Sequence, residues 1–309
     1  MAHFFLALKT VLPLFLVILA GLIFSRTKAA STSWIDILNK YALWIGFPAL
    51  VIASLMHLEL NGQSYSRLII TNSVYIVICM LLAFPVASVF KLSNRVKRSL
   101  FLILSFGNVA YLGIPVLHNA FGENILPVAA IISAVYVFWL LTLGIILIEI
   151  NGEEKFEGKK LVFSLLKNPL LISVFVGLII VYFNIKLPEI AEKTISLFSN
   201  SVTAVVLFSL GIFLGLHKTG KPKEWLTALT FSLLTILVLP LIFYLAIKNT
   251  GMESLQFKAT ILDSAMPLGL TPYALSVQYN LEVNLVSKIV VLATLLAIFI
   301  IPFWMVMLG

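Results

Sequence analysis

The sequence predicts an all-α membrane protein of ten transmembrane helices, folded as a 5+5 inverted repeat in which the fourth and ninth helices are broken. Three observations carry this expectation. The 309 residues are 61% hydrophobic and only 11% charged, with a mean hydropathy of +1.09. A soluble domain averages about 45–50% apolar and about 25% charged residues. The apolar residues gather into ten runs of about 20, the length that crosses a bilayer as a helix. Glycines, prolines and polar residues that disturb helices recur at matching places in the two halves.

Taken in order, the runs cover about 4–24, 35–57, 67–90, 99–120, 125–149, 164–183, 194–216, 225–247, 256–279 and 285–307. The first lacks a charged leader and a small-residue cleavage site, so it reads as a retained span rather than a cleaved signal peptide. The third holds Pro85 and Cys79, the single cysteine, which excludes disulfides and cysteine-based metal sites. The fourth contains SFGNVAYLGIPVLHNAFG (Ser105 to Gly122) and the ninth LDSAMPLGLTPY (Leu262 to Tyr273). These two are the most interrupted. The seventh carries Asn200, Ser201 and Thr203, for which helix packing is the plain reading and a lining role the alternative. It also carries Gly211 and Gly215 in GIFLG, a small-xxx-small face suited to close packing, within the chain or between protomers. His3, His57, His118 and His217 all fall near the ends of runs, where an interfacial place explains them.

The net charge of +8 raises the question of nucleic acid, and its distribution answers it. With the loops numbered alternately, one side takes 15 of the 21 Lys and Arg, from Arg26 to Lys288. The other takes 6: Lys9, Arg67, Lys186, Lys193, Lys248 and Lys258. The positive-inside rule makes the first side cytoplasmic and leaves both termini outside. The basic excess is topology, so no nucleic-acid partner is expected, and the bilayer, here the cytoplasmic membrane, is the solvent.

The most polar connection, NGEEKFEGKK (Asn151 to Lys160), separates a first repeat over 1–150 from a second over 161–309. Five spans per half send the second half into the membrane in the opposite sense. An offset of 155 places Pro85 on Pro240 and Asn108 on Asp263, and brings Pro13 within one residue of Pro169. Interrupted spans at corresponding positions are the best sequence pointer to a transporter site. Pro115 suits the first turn of a helix restarting after the break, as does Pro267 or Pro272 in span nine. Each restarted helix aims free N–H groups and a positive dipole end at mid-membrane, so two of them entering from opposite sides suit an anion.

Within these breaks, Asn108 offers an amide that donates to a carboxylate or accepts from a hydroxyl. The competing reading has it bonding the backbone freed by Gly107, Gly113 and Pro115. Asp263 is the one acid well inside a span, and burial of an acid there marks function by default. It would carry a coupling proton or bind Na⁺, unless it is a static partner for Lys258 or the broken backbone. Ser264 and Thr271 add hydroxyls along span nine. Metalloprotease, nucleophile-elbow and Walker motifs are missing from the sequence, as is a second intramembrane aspartate. No enzyme activity, no cofactor and no metal beyond a coupling ion are expected.

GNVAYLGIPVL and AMPLGLTPYALSVQYN resemble the two crossover motifs of the auxin efflux carrier family, the second with its P-x-G-x-x-P core and Y-N ending. The resemblance spans the chain and implies a fold similar to the bile acid/sodium symporters, with spans 4 and 9 crossing. It implies a scaffold of spans 1, 2, 6 and 7, and an elevator-type transport domain of spans 3–5 and 8–10. It also implies a homodimer built on the scaffold. Asn108 matches the asparagine that meets the substrate carboxylate, and Pro115, Pro267 and Pro272 match the crossover prolines. With them Gly107, Tyr111, Gly113, Ser264 and Thr271 make up the expected substrate site, and Asp263 the expected ion-coupling residue. The short central loop and the unmatched Asp263 depart from the plant carriers and point to a prokaryotic organic-acid permease. The expected function is secondary active transport of a small carboxylate, coupled to H⁺ or Na⁺. An uncoupled facilitator and a ligand-binding membrane sensor are the alternatives.

Overall fold

A computed structural model describes residues 2–56, 65–152, 158–183, 185–216 and 222–309. His57, His217 and residues 153–157 of the central connection lie outside the described residues. The described residues are mostly helical. Among the described residues its only β pairing is one isolated antiparallel bridge, Gly107 to Leu268.

The first half begins with α1 (Ala2–Phe24), which contains Pro13. Next, α2 (Thr32–Tyr41) runs through a π turn at Ala42–Gly46 into α3 (Phe47–Met56). A rod follows from α4 (Ser66–Leu81) and α5 (Ala83–Val89), then α6 (Asn94–Ile103). A non-helical stretch leads to a π turn at Val109–Gly113 and α7 (Ile114–Phe121). A 3-10 turn at Glu123–Ile125 then opens α8 (Leu126–Trp139), a π turn at Leu140–Gly144 and α9 (Ile145–Ile150).

The second half continues with α10 (Gly158–Leu166), α11 (Pro169–Tyr182) and α12 (Glu189–Leu216). Then come α13 (Pro222–Leu233), a π turn at Leu234–Val238 and α14 (Leu239–Ile247). The chain closes with α15 (Ser254–Ser264), α16 (Leu270–Gln278) and α17 (Val283–Leu308). Among the described residues six helices are long and apolar enough to cross a membrane, and shorter apolar helices accompany them. Large apolar side chains such as Ile23, Trp44, Phe175, Leu197 and Phe299 stand exposed on the outside. Serine, threonine, asparagine and Asp263 side chains are buried within. That inverted distribution suits hydrocarbon as the surrounding solvent.

The wide turns leave backbone carbonyls without an ordinary helical partner, and side chains cover them. In the Leu140–Gly144 turn Thr142 Oγ1 donates to the Phe138 carbonyl at 2.7 Å. In the Leu234–Val238 turn Thr235 Oγ1 donates to Phe231 and Ser232. Trp304 Nε1, fully buried on α17, donates to Ile236 of the same turn at 3.0 Å. Unpaired backbone in hydrocarbon costs several kcal/mol per group in rough terms, so these side chains allow the bends to persist.

Packing divides by helix. Helix α1 lies along α12, and α3 lies against α11 and α12. The α1–α12 approach is glycine-made. A Cβ on Gly211 would overlap the Ile18 carbonyl oxygen, and one on Gly21 the Phe208 carbonyl oxygen. The GIFLG face therefore packs inside the chain, which corrects the between-protomers option. The α12 polar cluster is also used in packing, since Ser201 Oγ and Tyr41 Oη share a 2.6 Å hydrogen bond.

Candidate functional site

Two helices stop in mid-course because their sequences cannot continue. Helix α6 starts with Ser93 as N-cap, its Oγ accepting from the Val96 N–H, and ends at Ile103 before Gly107 and Asn108. Helix α15 starts at Glu253, whose carboxylate accepts from the Leu255 and Gln256 N–H groups. It ends at Ser264, two residues before Met266 and Pro267. Pro267 lacks an N–H and disfavours helix in the residue before it.

The two non-helical stretches cross and pair. Gly107 bridges Leu268, and the Asn108 N–H donates to the Pro267 carbonyl at 2.6 Å. A Cβ on Gly107 would sit 2.8 Å from the Met266 carbonyl oxygen, so glycine is what lets the backbones approach. The sequence-expected crossing of the two breaks is present in this backbone pairing.

Each break then restarts a helix, and Asn108 stands where the two restarts meet. Asn108 is the residue before the Val109–Gly113 turn, and its carbonyl accepts from Leu112 N–H at 3.1 Å and Gly113 N–H at 2.8 Å. Ser133 Oγ on α8 fixes the turn by donating to the Val109 carbonyl at 3.3 Å. Gly269 is the N-cap of α16, in extended conformation. A Cβ there would lie 3.3 Å from Asn108 Cα and 3.4 Å from its Cγ. The Asn108 side chain thus lies against the start of α16 while its own backbone starts the other helix. It is 2% exposed, and neither its Oδ1 nor its Nδ2 has a hydrogen-bond partner. The reading in which Asn108 serves the freed backbone with its amide does not hold; it serves it with its carbonyl.

Asp263 occupies the last turn of α15, fully buried, with both carboxyl oxygens unpartnered. A Cβ on Gly113 would overlap its Oδ1. Lys258 is not its partner, because Lys258 Nζ donates to the Gly309 carbonyl at 2.5 Å. The 155 offset also fails at this point. Ile103 ends one half-helix and Ser264 the other, so Asn108 and Gly269 lie equally far past the two helix ends, and Asp263 lies before its break.

The remaining expected residues separate. Pro115 falls in the first turn of α7, Pro267 lies in the crossing and Pro272 in the first turn of α16; all three are buried. Ser264 donates to the Ile261 carbonyl at 2.7 Å. Tyr111 turns away to pack edge-on against Phe47, with ring centres 4.9 Å apart, and Thr271 is half-buried on α16. Three contributors were not anticipated. Gly269, the glycine of the P-x-G-x-x-P core, was not among the expected site residues, and Tyr75 and Tyr136 come from distant helices. Beside the crossing, Tyr75, Ser105, Tyr136, Thr235 and Ser264 line a small polar pocket with about 10 Å³ of room for water centres. One water needs about 10–15 Å³ on that scale. The Tyr136 hydroxyl, also buried, has no partner.

Buried polar atoms are ordinarily satisfied, yet five orphaned atoms from Asn108, Asp263 and Tyr136 gather around one crossing of two helix starts. A family model described as membrane transport protein matches residues 6–305. The chain belongs to this family. Members similar to it include an uncharacterized transporter of Methanothermobacter thermautotrophicus, 26% identical over 97% of this chain and 98% of that one. An uncharacterized transporter of Escherichia coli is 23% identical over 95% of both chains. Auxin efflux carrier component 1 of Arabidopsis thaliana is 26% identical over 47% of this chain and 24% of its own. Family membership, with the apolar helices, makes this a multi-pass membrane protein and a transporter rather than a member of an enzyme class.

Proposed function

We propose that this chain is a secondary transporter of a small organic carboxylate across the cytoplasmic membrane. It would bind the substrate at the crossing and move it by an elevator-type displacement. The observation that carries the reading is Asn108: a buried amide with both polar atoms free, set between two helix starts. Helix N-termini attract anions through unpaired N–H groups and the helix dipole. The amide adds a directed donor that an alkane or a cation would not need.

The same reading takes the ten helical rods as ten spans in two inverted repeats, with both termini outside by the positive-inside count. Helices α1, α2–α3, α10–α11 and α12 form the scaffold, an assignment supported by the packing of α1 on α12 and of α3 on α11 and α12. The pairs α6–α7 and α15–α16 travel in the mobile part, where backbone pairing holds them together. A homodimer would form through the scaffold. Asp263 supplies the coupling, since a buried acid without a partner is costly unless it takes up a proton or a cation.

Uptake by liposomes containing only this protein tests the proposal. Mono- and dicarboxylates serve as substrates, under imposed pH or Na⁺ gradients. A hydrogen bond to a charged group is worth about 1.5–3 kcal/mol, so Asn108→Ala should weaken substrate affinity roughly 10–100-fold. Its thermal stability should hold, because no protein partner is lost. Asp263→Asn should remove the response to the gradient. Wild-type uptake in Asn108→Ala refutes the site.

A further inference from the structure

The charge balance of the crossing is narrower than a general carboxylate site requires. We infer that the site takes a carboxylate of single negative charge together with one proton, held on Asp263, and this rests on the transport reading above. A helix start is equivalent to roughly half a positive charge. Two of them meet at Asn108, which amounts to about one unit of positive field. That matches one carboxylate. With Asp263 ionised at 0% exposure beside Gly113, the start of α7 already faces a negative charge, and a substrate anion would bring a second. With Asp263 protonated, the anion has the field to itself. Proton and substrate therefore bind together, and each raises the affinity for the other.

The surroundings of Asp263 favour a proton over a metal cation. Hard cations collect several oxygen ligands. Around Asp263 the Ser264 hydroxyl is already committed to the Ile261 carbonyl, and Gly113 offers no side chain. Among the described residues no group of three His, Cys, Asp or Glu side chains is placed to hold a metal ion.

The other groups on the elements packed against α15 leave Asp263 isolated. From α8 Tyr136 faces it, and from α4 Tyr75 and Cys79 stand beside Tyr136. Tyr111 in the Val109–Gly113 turn is turned to Phe47, and Tyr244 of α14 packs against Phe257 and Trp304. Lys288 of α17 is paired with Glu224, Arg67 of α4 donates to the Thr250 and Gly251 carbonyls, and His118 of α7 is exposed. Lys258 of α15 itself reaches Gly309. With no cation at hand, the neutral acid is the form this site accepts. The pocket beside Tyr136 has room for about one water, which would bridge the Tyr136 hydroxyl to the crossing and pass the proton.

The test uses the full chain, purified and in liposomes. Infrared difference spectra of wild type against Asp263→Asn at about pH 7 should show a protonated-carboxyl band belonging to Asp263. A carboxylate band in its place overturns the inference. Thermal shifts are then measured with acetate, lactate, pyruvate and indole-3-acetate against succinate and malate, at low and high pH, with and without Na⁺.

Monocarboxylates should stabilise the protein, with apparent affinity falling about tenfold per pH unit once Asp263 titrates, as one linked proton requires. Asp263→Asn, neutral at every pH, should keep monocarboxylate binding and lose its pH dependence. Preference for dicarboxylates, or a Na⁺ requirement in wild type that Asp263→Asn abolishes, overturns the inference. If none of the six stabilises wild type, the carboxylate reading itself fails, and the infrared band still decides the proton.

Discussion

Gly113→Ala tests the crossing through a single added methyl group. In the folded protein that methyl would overlap Asp263 Oδ1, with Asp263 Cγ and Met266 Cγ each 3.4 Å away. The carbon contacts are ordinary, so the conflict is with one oxygen. Asp263 has little room to yield, being fully buried with Met266 also buried alongside. Overpacking of this kind costs about 1–3 kcal/mol. Removing the oxygen removes the conflict, so in an Asp263→Ala background Gly113→Ala should cost less than about 0.5 kcal/mol. The coupling between the two sites is then about 1–2 kcal/mol, well above the scatter expected of independent positions. Thermal unfolding of the four proteins, followed by tryptophan fluorescence at one scan rate, measures it. Scan rate is fixed because unfolding of such a protein is under kinetic control. An equal Gly113→Ala penalty in both backgrounds would show that the two residues do not touch, and the placement of Asp263 against the restarted helix would be wrong.

Two further outcomes follow from packing elsewhere. Gly211→Leu should prevent α1 from lying on α12, because even a Cβ there overlaps the Ile18 carbonyl oxygen. The expected loss exceeds about 3 kcal/mol, read as failure to purify a monodisperse protein, whereas Leu197→Ala, on the exposed side of the same α12, should purify normally. Glu224→Gln should destabilise more than Lys288→Met. The Lys288 side chain is 4% exposed and the Glu224 side chain 49%, so removing the glutamate leaves a buried ammonium short of its partner. Apparent melting temperatures of the two variants give the order.

The helices and the two breaks were legible because hydrocarbon imposes a simple rule: long apolar runs cross, and glycine, proline and amides within them need a reason. Asn108, Gly107 and Pro267 were found on that rule and do meet at the crossing. Register was not legible. Matching prolines at 155 aligns Pro85 with Pro240, but the half-helices end at Ile103 and Ser264. A proline marks a bend and leaves the helix end unspecified. The four π turns left no recognisable trace either, since each adds one residue to a turn of otherwise ordinary apolar sequence. Tyr136 escaped for a different reason. On α8 it is one aromatic among apolar neighbours, and only the fold places its hydroxyl in the polar pocket beside the crossing.

The bond that fixes the site runs from the Asn108 N–H to the Pro267 carbonyl, and neither atom belongs to a side chain. Alanine scanning is therefore blind to it. Every residue in both stretches except the glycines could be exchanged, proline at 108 aside, without deleting that bond. Replacing the amide by an ester at Asn108 would delete it and leave every side chain in place. Selectivity and geometry are thus written in different parts of the polymer: side chains can diverge toward new acids while the main chain keeps the two helix starts in opposition.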